Sequence, residues 1–235
     1  MGEGGRAPVR FTEYGVAGYA RTVDVVVAGG HGKVGRRLLG LLAERGDRAR
    51  GLVRNRDQAA DLERVGAEPV LCDLEREPDI AAFVEGADAV VFSAGAGAGS
   101  GPERKRTVDL GGALKLIDAA KSNGIRRYVM VSAMGAADPS RSSDAMRPYI
   151  EAKAEADAAL EGSGLDFTIV RPGGLTDEPG TGRVTVGSGL DRGRVPRDDV
   201  AATLLAVLDE DGTIGKTFDL VQGDTPVAEA VRRLQ

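Results

Sequence analysis

The stretch from Val25 to Gly35, VVVAGGHGKVG, constrains the fold of this chain more than any other. Val25, Val26 and Val27 form a short unbroken apolar run, the pattern of a strand buried on both faces of a parallel sheet. Gly29, Gly32 and Gly35 follow at three-residue spacing, with Gly30, His31, Lys33 and Val34 between them. Glycines so placed permit a tight turn, close approach of the backbone to a ligand, and close packing of the next helix on the strand. That helix, read over Lys33 to Arg45, carries Val34, Leu38, Leu41 and Leu42 on one face. Its unpaired N–H groups and positive dipole end point into the turn, which suits a pyrophosphate. With 34 glycines among 235 residues, the pattern GxxGxxG has meaning only through its place between a strand and a helix.

From Val23 onward strand and helix patterns alternate. Strands are expected at Ala49 to Val53, Pro69 to Cys72, Asp88 to Phe92, Tyr128 to Val131 and Phe167 to Val170. Between them helices are expected at Asp57 to Val65, capped by Asp57, at Pro78 to Val84, and at about Glu103 to Ser122, ending at Asn123-Gly124. Pro148 to Leu160 is a further helix, rich in strong helix formers. The tail reads as a small strand at Val184 to Val186, a helix at Asp198 to Leu208, a strand at Lys216 to Val221 and a closing helix at Val227 to Leu234. This is an α/β pattern, a Rossmann-type doubly wound parallel sheet with helices on both faces and a small C-terminal substrate cap. Residues 22–235 are read as one domain, and Met1 to Arg21 as a loosely ordered extension. Ser93 to Gly101, SAGAGAGSG, is either a flexible linker or a loop lining the ligand crevice past the end of the fourth strand.

Composition excludes several classes of function. A net charge of −5 argues against general affinity for nucleic acid or anionic membrane, and the absence of tryptophan against stacking platforms. One cysteine, Cys72, and one histidine, His31, leave no intramolecular disulfide, no cysteine-rich or histidine-ligated metal site, and no triad built on another histidine. No apolar run approaches a membrane span, and the first residues lack a signal-peptide core, so the cytoplasm is the expected location.

Tyr149 and Lys153 lie four residues apart on one helix face. An ammonium close to a tyrosine hydroxyl favours the phenolate, so the phenol is expected to have a lowered pKa and to exchange a proton with a substrate oxygen. Such a pair also occurs on solvated helices. Here it follows the strand ending at Val131-Ser132, whose hydroxyl is expected to point into the same crevice.

GGHGKVG, LVRN after the second strand, CDLE after the third, VSA after the fifth, YIEAK, and VRPGGL after the sixth together resemble the short-chain dehydrogenase/reductase superfamily. The chain looks most like its atypical branch of NAD(P)H-binding, NmrA-like and epimerase-like proteins, over nearly its whole length from Val23 to Leu234. The resemblance implies that Gly29, Gly32 and Gly35 contact the pyrophosphate, with Gly30, His31, Lys33 and Val34 beside them, His31 being a turn residue or more. It places the cofactor-selecting position on Arg54, with Asn55 and Arg56 next to it. Arginine there offers a planar fork to a 2′-phosphate and favours NADP over NAD, unless it is only a basic residue of a solvated loop. Asp73 and Leu74 match the positions near the adenine, Ser93, Ala94 and Gly95 the loop under the cofactor, and Pro172 and Gly173 the turn beside the nicotinamide. Tyr149, Lys153 and Ser132 match the proton donor, its lysine and the substrate-oxygen binder. Where ordinary members carry a relay asparagine, the nearest residue is Asp109.

The function these residues imply is an NADP-dependent oxidoreductase acting on a carbonyl or alcohol, a monomer or homodimer with a small-molecule substrate. A non-catalytic dinucleotide sensor or scaffold is the alternative of another class. A sugar-nucleotide epimerase or dehydratase is disfavoured by the roughly sixty residues after Arg171, few for a substrate lobe.

Overall fold

The computed structural model describes residues 22–97 and 99–234, so the expected N-terminal extension lies outside the described residues. The apolar run after Val23 becomes β1, Asp24–Ala28, in which Val25, Val26, Val27 and Ala28 are fully buried. Alternate residues feed opposite sides of the sheet: Val25 and Val27 join one apolar cluster, Val26 and Ala28 the other. A strand of β-branched residues buried on both faces is thus a consequence of helices packing on both sides.

Six further strands run parallel to β1: β2 (Arg48–Val53), β3 (Glu68–Leu71), β4 (Ala89–Phe92), β5 (Arg127–Val131), β6 (Asp166–Pro172) and β10 (Lys216–Gln222). Two short strands, β7 (Gly174–Thr176) and β9 (Arg194–Pro196), form a separate parallel pair. β8 (Arg183–Gly187), antiparallel to β10, and β11 (Thr225–Pro226), antiparallel to β8 and so in the direction of the rest, extend the main sheet, giving the order β11-β8-β10-β6-β5-β4-β1-β2-β3. The chain order reverses between β1 and β4, the switch point at which doubly wound sheets open a crevice beyond their strand ends.

The helices are α1 (Lys33–Arg45), α2 (Ala59–Glu63), α3 (Ala81–Val84), α4 (Pro102–Arg104), α5 (Gly112–Ser122), α6 (Arg147–Glu161), α7 (Arg197–Asp209) and α8 (Val227–Arg232). Apolar residues of α1, α7 and α8 pack in one cluster and those of α3, α5 and α6 in the other.

Four local expectations change. The helix read over Glu103 to Ser122 is broken by a π-helical turn at Lys105–Gly111, which turns both Val108 and Asp109 inward. The Pro78 to Val84 helix shrinks to α3, because Asp79 Oδ1 accepts from the Ala81 N–H at 2.9 Å and sets the start there. Asp57 makes no cap to α2; a tight 3-10 turn, Arg56–Gln58, precedes it. The small strand at Val184 to Val186 belongs to the main sheet, so the C-terminal cap is limited to the β7/β9 pair and its loops.

Candidate functional site

The first four strands of the parallel set end on one edge, and the loops leaving them enclose a cavity of about 240 Å³. Gly29, His31 and Gly32 line it after β1, Arg54 and Gln58 after β2, Asp73 and Glu75 after β3, and Ser93 to Gly97 after β4. Gly29 is the residue whose identity geometry dictates. Its φ is +87°, and a Cβ there would sit 2.6 Å from both the backbone N and Cα of Ala94. The turn and the β4 loop therefore close on each other only through glycine. No side chain caps α1, whose N-cap Gly32 lines the cavity.

At the end of β2 the Arg54 guanidinium is exposed and makes no hydrogen bond or ion pair among the described residues. Its positive charge helps hold the Glu75 carboxyl below its ordinary range, after the larger effect of Arg104. Arg54 also lines an adjoining open recess with Asn55, Asp73, Glu75 and Arg76. Arg104 crosses the cavity mouth, donating to Glu75 at 2.8 Å and to the Ala96 carbonyl at 3.1 Å. Sequence reading passed over Arg104, Glu75 and Gln58; a basic residue at the start of a helix next to a crevice loop was the available signal. Cys72 also lines the cavity, and burial pushes its thiol up to about 12.

Not every residue assigned to the glycine turn faces this space. Lys33 pairs with Asp177 at 2.5 Å, across from the turn, and Asp177 is also held by Arg197 at 2.9 Å. His31 lines the cavity while its Nε2 meets Asp61 Oδ2 at 2.7 Å. Leu74 and Ala94 are buried in the cavity wall, and Gly95 lines it from an exposed position. Val34 and Gly35 are buried in α1 and do not line the cavity, Asn55 lines only the adjoining recess, and Pro172 ends β6.

The second group of residues assembles on α6. Lys153 is buried; its ammonium donates to the Val131 carbonyl at 3.2 Å and the Ala94 carbonyl at 3.5 Å and lies 3.3 Å from Asp109 Oδ1. Asp109 is completely buried, its other oxygen accepting from the Ala96 N–H at 3.1 Å. Oδ1 has the distance of an ion pair without the angle of a hydrogen bond. Lys153 thus ties α6 to the β4 loop, and Asp109 ties the π-helical turn to both.

Two expectations are corrected here. Tyr149 does not have a lowered pKa: burial raises it first, and the carboxylates of Asp109 and Asp157 raise it further. The reason is that the Lys153 charge is spent on Asp109 and two carbonyls, and its Nζ lies 5.9 Å from the Tyr149 ring centre. Nor does Ser132 offer its hydroxyl to the crevice. It is 3% exposed and donates to Asp157 at 2.9 Å, whose carboxylate also takes Arg171 Nε at 2.8 Å.

Beyond this group lies a smaller cavity, of about 180 Å³, between Met134 after β5, Met146 at the N-cap of α6, Ile150 of α6, Gly173 after β6, and Arg192-Gly193 before β9. Gly173 lines it, and Tyr149 precedes Ile150 on its α6 wall. Among the described residues no group of three histidine, cysteine or acidic side chains is placed to hold a metal, and no helix is long and apolar enough to cross a membrane.

A sequence profile for NAD(P)H-binding proteins matches residues 29–211, from the glycine turn to beyond α7. This chain belongs to the NAD(P)H-binding family. It is 48% identical over 214 residues to a protein of Bacillus subtilis described as the uncharacterized sugar epimerase YhfK, covering 90% of this chain and all of that one. Among solved structures it is similar to a candidate NAD-dependent epimerase/dehydratase from Bacillus halodurans, with a TM-score of 0.86 and 41% identity over 90% of this chain and 99% of that one. The oxidoreductase ylbE from Lactococcus lactis has a TM-score of 0.81 and 29% identity over 90% and 96%. The family is thus one of oxidoreductase-like and epimerase-like Rossmann proteins of the atypical short-chain dehydrogenase/reductase type.

Proposed function

We propose that this chain is an NADPH-preferring oxidoreductase that interconverts a carbonyl and an alcohol. The observation that carries the reading is the attachment of α6 to the dinucleotide cavity. Lys153 holds the Ala94 carbonyl, Ala94 lines that cavity, and Ile150 of the same helix lines the smaller one, so α6, which carries Tyr149 one turn before Lys153, borders both spaces. In the reading, the glycine turn and the first turn of α1 hold the pyrophosphate, Asp73 and Leu74 border the adenine, and Ser93 to Gly95 pass under the dinucleotide. Pro172 and Gly173 flank the nicotinamide, which supplies or takes up the hydride. The fit is supported by the Gly29 turn, where any Cβ would collide with the β4 loop, and by the uncapped start of α1.

Tyr149 holds its proton firmly, because burial and two carboxylates raise its pKa. A phenol kept neutral suits the donation of a proton to the oxygen of a reduced carbonyl, whose conjugate acid is weaker still. Lys153 acts as an anchor for α6 and the ribose side of the cavity. Ser132, held by Asp157, serves the packing of α6 on β5, and no contact with substrate is assigned to it.

The descriptions of the two relatives as epimerases support a second reading, reversible oxidation of a sugar. The cavity of about 180 Å³ is small beside the range of about 300–1,000 Å³ for drug-sized ligands, which favours a substrate smaller than a nucleotide sugar.

Arg54 is the NADPH-selecting residue in this reading, because its free guanidinium offers a bidentate partner to a 2′-phosphate. Thermal-shift titration with NADPH, NADH, NADP and NAD is expected to show an NADPH preference that falls about tenfold or more in Arg54→Ala. A preference that survives the substitution unchanged overturns the role of Arg54. Undiminished NADPH consumption in Tyr149→Phe overturns the role of the phenol, and absence of any turnover returns the sensor reading.

A further inference from the structure

The smaller cavity is chemically asymmetric. Met134, Met146 and Ile150 give it apolar walls, and Arg192 is the one charged residue among those lining it. Its guanidinium makes one hydrogen bond, 3.3 Å to the Arg141 carbonyl, and among the described residues no carboxylate pairs with it. Ser142 and Ser143 add hydroxyls on the same wall. The site is built rather than incidental. A Cβ on Gly173 would lie 2.4 Å from the Gly193 carbonyl oxygen, so the β6 exit and the Arg192 segment meet only because residue 173 is glycine. That contact fixes where Arg192 enters the cavity. In a chain of net charge −5, a lone cation over an apolar pocket, left without an internal counterion, is a specific feature.

We propose that the substrate is a small carboxylate-bearing carbonyl compound, an oxo acid with a short apolar body, whose carboxylate is bound by Arg192. This rests on the oxidoreductase reading above, since Ile150, next to Tyr149 on α6, lines the same cavity. A planar guanidinium matches a carboxylate in geometry and in charge, one cation for one monoanion. A phosphate dianion would be half neutralised by a single arginine and would leave the Met134, Met146 and Ile150 walls uncovered. The apolar walls take the methylene body, and the two serines stand near the anionic end. The volume of about 180 Å³ limits the ligand to a few carbons beyond the carboxylate.

The test pairs each of a series of linear oxo acids of about four to seven carbons, a size range set by the cavity, with its own methyl ester. Each compound is titrated by thermal shift into the full chain saturated with NADPH, and NADPH oxidation is followed in parallel. The expected result is tighter binding of at least one acid than of its ester by about tenfold or more, the worth of a charge-assisted pair. In Arg192→Gln the acid-to-ester ratio falls toward one, and Arg192→Lys restores part of it. Equal binding of acid and ester by the wild type, an unchanged ratio in Arg192→Gln, or no shift with any acid overturns the proposal. A fault in the oxidoreductase reading shows separately: the acids still bind in preference to their esters while no NADPH is consumed.

Discussion

Replacement of Asp109 by asparagine probes the junction on which the site is built. Asp109 is fully buried, with one oxygen on the Ala96 N–H at 3.1 Å and the other 3.3 Å from the Lys153 ammonium. Lys153 is 3% exposed, donates to the Val131 and Ala94 carbonyls, and lies 5.4 Å from the Phe92 ring centre. Asparagine keeps an acceptor for Ala96 but removes the one formal negative charge paired with a buried ammonium and can turn its own N–H groups toward it. Breaking one side of a buried pair costs about 3–5 kcal/mol. At about 2–4 °C per kcal/mol for a chain of this size, the melting temperature is expected to fall by roughly 10 °C. Thermal unfolding followed by circular dichroism measures that loss. A second readout moves in a direction a general packing defect would not produce. Asp109 is the larger of the two charges that raise the Tyr149 pKa, so its neutralisation lowers that value toward the ordinary 10.0. Difference absorbance near the phenolate band, with Tyr149→Phe in the same background to assign the signal, follows it. Stability within about 1 kcal/mol of wild type, well below the buried-pair range, together with unchanged tyrosine titration, would refute the coupling of the π-helical turn to Lys153.

Gly29→Ala places a Cβ 2.6 Å from the Ala94 backbone at a positive φ, and is expected to abolish NADPH binding by calorimetry at concentrations that saturate wild type. Cys72 is buried with its thiol pushed up to about 12, so the native chain should resist a thiol reagent at pH 8 and react fully only once unfolded. Tyr149 stays protonated well past neutrality, so the rate of carbonyl reduction should show no alkaline loss from this group below about pH 9, one unit under the ordinary phenol value. Tyr128 is fully buried and its phenol is raised by burial, so the unfolded chain releases this proton first. Stability contributed by Tyr128 is therefore present below pH 10 and falls above it by up to about 1.4 kcal/mol per pH unit. Urea titrations of wild type and Tyr128→Phe between pH 9 and 11 should diverge in that sense, and parallel curves would contradict it.

The amino-acid sequence by itself determined β1, the glycine turn, α1 and the parallel alternation that follows. These depend on neighbours within a few positions: period-two burial, one apolar stripe per helix, and glycine where the backbone must turn. The same local logic put Tyr149 and Lys153 on one helix face and the four loops around one crevice. It could not decide where polar side chains spend their hydrogen bonds. Lys153 went to Asp109, and Ser132 went to Asp157, because those partners come from other elements and burial makes an unpaired charge costly. Likewise the helix over residues 103–122 gave way to a π-helical turn where Asp109 had to reach inward. Arg127 lies just before the strand expected at Tyr128 to Val131, yet it opens β5 buried against Thr168, Thr213 and the Val207 carbonyl, with burial lowering its pKa to about 10. The antiparallel β8 and the Gly173 contact with Gly193 join segments distant in the chain, and only the packed tertiary structure brings Gly173 and Gly193 together in the wall of the cavity at Arg192.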